Sequence, residues 1–521
     1  MSRIRADRYT NRLGTGAPTF SNGVNIIGNV GVGTTVPTSS LTVKGDMNVT
    51  GTVSVGGTLS YEDVTSIDSV GVITARSGIH VTSGKVGIGT NDPLRQLDIF
   101  STGHATAAIK GDTQSSLFFV DSGDSNIGQI SYIHADNYMY FRVNDAERLR
   151  ITSAGITSIT GSLAVNGNNY PTAGQLSNRN LIINGSMQVA QRGTSTTSVT
   201  SSGYHAADRF HADLNAVGTW TFSQSTTSPD EFANSFKLFC TTAKASPDAG
   251  TVLIFNQRVE GFNLQSLKKG TSAAESVTLS FWVRSSKTGT YIAELRDNDN
   301  SRAISKTYSI SSVNTWEHKT LTFPGDTTGA FDNDNALSLY INWWLAAGSN
   351  FTSGTLSTSW ASITNANRAV GVVNLADNED NDWYITGVQL EVGEKATPFE
   401  HRSFGDELAR CQRYYQRITA QTANARMAIG GNGSVSQCFP TAYLPTTMRA
   451  QPSVSYSAAS DFTNEGIAGG GTQTVSSISF NAASSHAVTI QSVASGGSGS
   501  ATGAQVLSNN TNAHLAFHAE L

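Results

Sequence analysis

Four titratable side chains crowd into "YHAADRFHADL": His205, Asp208, His211 and Asp213. Imidazoles and carboxylates this close in sequence suit a metal site or an acid–base pair. The stronger reading is structural, with Asp208 and Arg209 forming an ion pair beside a buried Phe210. Three acidic loops, "RDNDNS", "FDNDNA" and "ADNEDNDW", have the oxygen-rich character that calcium prefers. None has the glycine at the sixth place and glutamate at the twelfth that an EF-hand requires. Asp377, Glu379, Asp380 and Asp382 are therefore the candidates for a structural calcium, set against a reading as Asx turns. No other cofactor is implied. The glycine clusters "GVGTTV" and "GIGTND" lack the third glycine of a dinucleotide fingerprint and the Gly-Lys-Thr of a phosphate loop, so they read as turns.

The aromatic pattern is more informative. In "YINWWL", strict alternation sends Ile341, Trp343 and Leu345 to one face of a strand and Tyr340, Asn342 and Trp344 to the other. In "LSFWVR" the same rule turns Leu279, Phe281 and Val283 inward and leaves Ser280, Trp282 and Arg284 outside. A face that mixes flat rings with amides and guanidinium groups suits a sugar, whose C–H surfaces stack while its hydroxyls take hydrogen bonds. Trp282, Arg284, Tyr340, Asn342 and Trp344 are thus candidate glycan-binding residues. Burial between subunits enriches the same residue types, so that reading stays open. No paired carboxylates or nucleophile–base set can be read from spacing, and the expectation is a chain without catalysis.

These residues need strands to position them, and the composition supplies strands. The chain has 521 residues, 50 of them glycine, only 14% charged, with a net charge of -5. That length calls for several structural units, and the small net charge without like-charge blocks argues against nucleic-acid binding. No run of 18 apolar residues occurs, and no apolar stretch follows the opening "MSRIRADRYTNR", so neither membrane insertion nor a signal peptide is expected. Cys240, Cys411 and Cys438 are too few and too far apart for a disulfide framework or zinc finger.

One clause is stated twice. "VGVGTTVPTSSLTV" (30–43) and "VGIGTNDPLRQLDI" (86–99) share Val, Gly, Gly, Thr, Pro and Leu at a fixed offset. Such short strand units cannot close a core alone and must stack on neighbours or on other chains, which extends a shaft. After residue 180 all seven tryptophans appear before residue 400, and strands such as "DWYITGVQLEV" fit a two-sheet jelly roll. "SFGDELARCQRYYQRI" reads as a helix opened by a Ser403–Asp406 capping box. Its Phe404, Leu408, Cys411, Tyr415 and Ile418 follow coiled-coil spacing, which fits a trimer junction or a helix packed on the sandwich. The expected organisation is an attachment segment (1–25), a β shaft (26–175), a sandwich (176–401), a helix (402–420) and a C-terminal β domain (421–521).

The opening "RYTNRLGTGAPTFSNGVNIIG", "VGIGTNDPLRQLDI", "MYFRVNDAERLRITSAGI", "NLIINGSMQVAQRGTS", "YHAADRF", "VQLEVGEKATPFEHRSFGDELARCQRYYQR", "LPTTMRAQPSVS" and the final Ala-Glu-Leu resemble, in this order, tail fibres of tailed bacteriophages, particularly marine and cyanobacterial ones. The resemblance implies an elongated homotrimer of mainly β structure, joined to other tail or baseplate proteins through its N-terminus. Arg3, Arg5, Arg8 and Arg12 would dock it to the virion, and the distal β domains would meet a host-surface polysaccharide or lipopolysaccharide. Its place would be the virion tail, assembled in the host cytoplasm. Three chains around an axis would gather six imidazoles from His514 and His518, although such surface histidines are commonly just solvated. In many such fibres the Arg-Ile-Thr-Ser-Ala-Gly shaft leads into a self-cleaving chaperone domain; here it leads into the sandwich, so autoproteolysis is not implied. A polysaccharide depolymerase tailspike and a purely structural neck or baseplate fibre are the alternatives.

Overall fold

The computed structural model describes residues 26–57, 69–70, 72–75, 78–125, 127–160, 163–165, 168–170, 176–434, 436–466, 470–494 and 503–521. Arg3, Arg5, Arg8 and Arg12 lie outside the described residues. The protein is mainly β, and no described helix is long and apolar enough to cross a membrane. Contacts divide the chain into a unit ending at Ala108 and a second running from Ile109 to Leu521.

In the first unit the repeated clause folds the same way twice. β1 (Val30–Val32) pairs in parallel with β2 (Leu41–Val43), and β3 (Val86–Ile88) with β4 (Leu97–Ile99). Val30 meets Leu41 and Val86 meets Leu97, so the register is identical. Val30 N–H donates to Ser40 O at 2.8 Å and Val86 N–H to Gln96 O at 2.7 Å, closing each arch at the same place. The repeated glycines allow this. Gly89 sits at φ +77°, and a Cβ there would come within 2.2 Å of the Phe100 carbonyl oxygen. Gly33 repeats the conformation against Lys44 O. Gly89→Ala should therefore cost the arch about 1–3 kcal/mol through left-handed strain. Faster amide exchange at Val86 and Phe100 would report it, with Gly51→Ala silent because a methyl group there meets nothing within 4 Å.

β5 (Gln114–Phe119), β6 (Gly128–Ile133), β7 (Tyr138–Val143), β8 (Ala146–Ile151) and β9 (Thr157–Ile159) form one antiparallel sheet in chain order. Its register lines up Leu117, Ile130, Phe141, Leu149 and Ile159 on one face. The other face is polar and tied together: Ser131 Oγ donates to Ser116 Oγ at 2.6 Å, and Tyr140 OH to Gln129 Oε1 at 3.2 Å. Among the described residues no second layer covers the apolar face, and Leu117 is 48% and Ile159 40% exposed. Among the described residues no apolar side chain before Ile182 is buried. After a two-residue pair, β10 (Ala164–Val165) with β11 (Asn168–Asn169), the texture changes.

The sandwich contains β12 (Ser195–Val199), β13 (Gly203–Tyr204), β14 (Phe210–Asn215), β15 (Thr219–Ser225), β16 (Ser235–Thr242), β17 (Val252–Glu260), β18 (Val277–Ser285), β19 (Gly289–Asp297), β20 (Arg302–Ile310), β21 (Glu317–Phe323), β22 (Leu337–Ala347), β23 (Ala361–Ser362) and β24 (Asp382–Val392). One sheet runs β12-β15-β16-β24-β18-β21, the other β13-β14-β17-β22-β19-β20-β23. Alternation puts Leu279, Phe281, Val283, Ile341, Trp343 and Leu345 into the core between them. Phe255 lies 6.0 Å from Trp343 and 5.6 Å from Trp383, ring centre to ring centre, and so joins the two sheets. Each buried indole contributes roughly 5 kcal/mol of gross transfer free energy, whereas the first unit buries no apolar side chain among its described residues.

The helix expected over 402–420 is shorter. After the one-turn α1 (Ser349–Thr352), α2 spans Phe404–Gln412, capped by Ser403 Oγ accepting from Asp406 N–H at 3.2 Å. Tyr415 and Ile418 lie instead in strand β25 (Tyr415–Thr419), paired with β33 (His514–His518), which also pairs with β28 (Ser453–Tyr456). The coiled-coil seam is thus broken: Phe404 is 56% exposed, while Cys411 packs with Ile183, Val189 and Tyr414, with Leu408 beside them. Pairing with a distant strand outweighs the local helical spacing, and α2 packs on the sandwich side. The terminal domain closes into a barrel of β26 (Arg426–Asn432), β27 (Gln437–Tyr443), β31 (Ala487–Ala494), β30 (Gly470–Ala483), β29 (Phe462–Gly466) and β32 (Ala504–Ser508).

Candidate functional site

The outer face of the second sheet carries three cross-strand rows. Asp213, Ile254, Trp344 and Ile292 form the first; His211, Asn256, Asn342 and Glu294 the second. Arg258, Tyr340 and Arg296 form the third. One end of this face is roofed by residues 348–372, so Trp344 is fully buried with Ile254, Ile292 and Ala369 in a small second core. Arg368 reaches down from that roof. Its Nε and Nη2 donate to Glu294 at 2.7 and 2.8 Å, and its guanidinium lies 4.9 Å over the Trp344 ring. Glu294 also accepts from Asn342 Nδ2 at 2.7 Å and Trp344 Nε1 at 3.2 Å. Burial works against the charge on Arg368, yet Glu294 outweighs it and holds the guanidinium pKa above its ordinary value.

Beyond the roof the face opens into a cleft of about 270 Å³, lined by Asp213, Arg258, Arg296, Tyr340, Asn342, Phe351 and Arg368 among others. Tyr340 lies between two guanidinium groups, 5.4 Å from that of Arg258 and 4.8 Å from that of Arg296. Arg258 also donates to Leu521 O at 2.7 Å. Burial tends to raise the Asp213 pKa, but His211, Arg258 and Asn256 outweigh it and hold the carboxyl below its usual range. Asn256 Oδ1, Asn342 Oδ1, Arg258 Nε and Arg296 Nε are buried without a hydrogen-bond partner. A flat ring, flanking donors and the unused Asn342 amide oxygen can take up one ring of a polar ligand.

The five glycan candidates do not share one surface. Tyr340, Asn342 and Trp344 belong to this face, whereas Trp282 and Arg284 belong to the outer face of the opposite sheet. There Trp282 lies 5.1 Å from the His318 ring, and Arg284 stands 4.7 Å over Tyr384. The sandwich core separates the two groups. Trp344 is corrected further: with Arg368 and Phe351 against its ring it presents no face to a sugar. Sequence reasoning missed Arg258, Arg296, Glu294 and Arg368. A signal for the first three was present, because Ile254-x-Asn256-x-Arg258 and Ile292-x-Glu294-x-Arg296 repeat the outer-face alternation of Trp344, Asn342 and Tyr340.

The expected Asp208–Arg209 pair is also corrected. Asp208 pairs with Arg192 at 3.4 Å and accepts from Gln191, while Arg209 pairs with Glu520. Burial pushes the Asp208 carboxyl up to about 6 against the pull of Arg192 and Gln191. Phe210 is buried as expected. Glu520 also takes Arg192 Nη2 at 2.7 Å, and Arg209 lies 3.4 Å over the Tyr414 ring. Glu260 accepts from Arg413 twice at 2.7 Å and from Tyr414 OH at 2.6 Å. Asn184 N–H donates to Glu407 at 2.6 Å. "NLIINGSMQVAQRGTS", "YHAADRF", the α2 segment and Ala-Glu-Leu, far apart in sequence, thus build a single junction between sandwich and terminal domain.

Among the described residues no group of three or more His, Cys, Asp or Glu side chains could hold a metal ion. The acidic loop expected to bind calcium is spent on turn and ion-pair contacts. Asp377 takes Lys287 Nζ at 2.5 Å and Asp382 accepts from Ser286 N–H at 3.1 Å, while Glu379 and Asp380 are exposed. His518 hydrogen-bonds Ser455 at 2.7 Å, and His514 lies 3.0 Å from Asn512 O.

No family model matches the chain, and no curated protein matches it. Part of the chain is similar in fold to solved structures. A putative sugar binding protein from Bacteroides thetaiotaomicron is 13% identical, with 41% of this chain and all of that one covered, at TM-score 0.24. The CBM22-1 xylan-binding domain of Paenibacillus barcinonensis Xyn10C is 9% identical over 43% of this chain and 98% of that one, at TM-score 0.21. The enzymatically active domain of tailspike protein 4 from bacteriophage CBA120 is 19% identical over 41% of this chain, at TM-score 0.22. The match spans 21% of that tailspike chain.

Proposed function

We propose that this chain is a tail fibre of a tailed bacteriophage, a homotrimer that attaches the virion to a host-surface polysaccharide or lipopolysaccharide without turning it over. The observation that carries this reading is the contrast along the chain: a repeat-built first part with no buried apolar side chain among its described residues, then a sandwich with a full aromatic core. The uncovered row Leu117–Ile130–Phe141–Leu149–Ile159 needs a second layer, and sister copies supply it. The resemblance in sequence sets the number at three. The N-terminal segment joins other tail or baseplate proteins, and assembly takes place in the host cytoplasm. The second sheet's cleft is the glycan site. Its two lining or adjacent carboxylates support binding without chemistry, since Glu294 is held by Arg368, Asn342 and Trp344, and Asp213 by Arg258 and Asn256.

Native mass of the full chain tests the assembly; a monomer would sink it. Labelled trimer should bind host-cell polysaccharide saturably without releasing new reducing ends, and Tyr340→Ala should weaken that binding roughly tenfold or more. Release of oligosaccharide would instead establish a depolymerase, and no binding to host cells a purely structural fibre.

A further inference from the structure

We infer that the glycan is acidic, with a sugar carboxylate received by Arg296 while its ring lies against Tyr340; this rests on the cleft being a glycan site. Three guanidinium groups face the cleft and two carboxylates answer them. Glu294 is engaged twice by Arg368, at 2.7 and 2.8 Å. Asp213 stands 3.4 Å from Arg258, which is further committed to Leu521 O. That leaves Arg296 as the surplus cation: among the described residues it makes no ion pair, and its buried Nε has no hydrogen-bond partner. Its one close companion is the face of Tyr340, 4.8 Å away. A guanidinium fixed by an aromatic ring keeps its planar donor edge free, and that edge matches a carboxylate in a two-bond fork.

One further atom points to a ligand with hydroxyls. Of the buried amides beneath this face it is Asn342, 2% exposed, that lines the cleft, and its Oδ1 has no partner. An acceptor left so is satisfied when a donor enters. Hydroxyls of the same sugar ring would supply it, whereas a simple inorganic anion would not. The cleft's roughly 270 Å³ holds one ring of a chain, not an extended stretch.

The test is an array of uronic and nonulosonic acid oligosaccharides, each beside its methyl ester, probed with the labelled full-length protein. Esterification removes the charge and keeps the ring. The acids should bind at least about tenfold more tightly than their esters. Arg296→Gln should erase that preference with an unchanged unfolding midpoint, and Arg296→Lys should restore part of it. Equal binding of acid and ester would overturn the acidic reading and leave the glycan site standing. Binding of neutral glycans alone would do the same. No binding to any member of an array that also carries neutral glycans would overturn both.

Discussion

Replacing Glu294 with alanine is expected to destabilise the sandwich by about 3–5 kcal/mol, the scale for breaking a buried ion pair from one side. The carboxylate is fully buried and accepts four bonds, two from Arg368 and one each from Asn342 and Trp344. Removing it strands a largely buried guanidinium, an amide and an indole N–H together. The segment 348–372 loses its anchor, and the cleft loses one wall. Tryptophan emission during urea unfolding reads this directly, because all seven tryptophans lie in the sandwich. Glu294→Gln with Arg368→Met, which removes both charges, should recover much of the loss. A single Glu294→Ala variant as stable as the parent would show that the roof is held by its apolar contacts alone.

Glu520→Ala is expected to cost a similar 3–5 kcal/mol, although Glu520 stands one residue from the last of the chain. Arg209 is 1% exposed and Glu520 is the carboxylate it pairs with. Its other contacts, the Arg258 carbonyl at 2.7 Å and the Tyr414 ring, carry no full negative charge. Arg192 pairs with the same carboxylate and with the fully buried Asp208, but burial already pushes the Asp208 carboxyl up to about 6, so it can take a proton when Arg192 is lost and Arg192→Ala should cost less. Hydrogen exchange separates the outcomes. Loss of protection in both β25–β33 and strand β14 is expected for Glu520→Ala, and a smaller loss for Arg192→Ala. Protection confined to its parent level in both variants would mean that apolar packing, not charge, joins the two domains.

That junction explains a feature of the sequence that reading along the chain leaves scattered. Asn184, Asp208, Arg209, Glu407, Arg413 and Glu520 are spread over four motifs of the resemblance, and each makes its main polar contact with another of them or with Glu260, Gln191 or Arg192. A spacing rule sees neighbours in sequence, so it paired Asp208 with Arg209. Consecutive residues on this segment diverge, because Arg209 is in the left-handed region at φ 73° and the chain turns there. The heptad over Phe404–Ile418 misled for a related reason: nine helical residues satisfy the first three positions, and the strand pairing with His514–His518 claims the last two.

By itself the sequence determined the β class, the division into a core-poor repeat and an aromatic-rich sandwich, and which face of the Leu279–Val283 and Ile341–Leu345 stretches turns to the core between the sheets. Those follow from composition and from the two-residue period of a strand, both local properties. Only the tertiary structure decided which strands share a sheet, and therefore that Tyr340 stands beside Arg258 and Arg296 while Trp282 and Arg284 face the other way. Alternation fixes inside against outside but carries no information on which of two outsides a strand adopts; that choice is made by pairing between residues as far apart as Phe236 and Ile385.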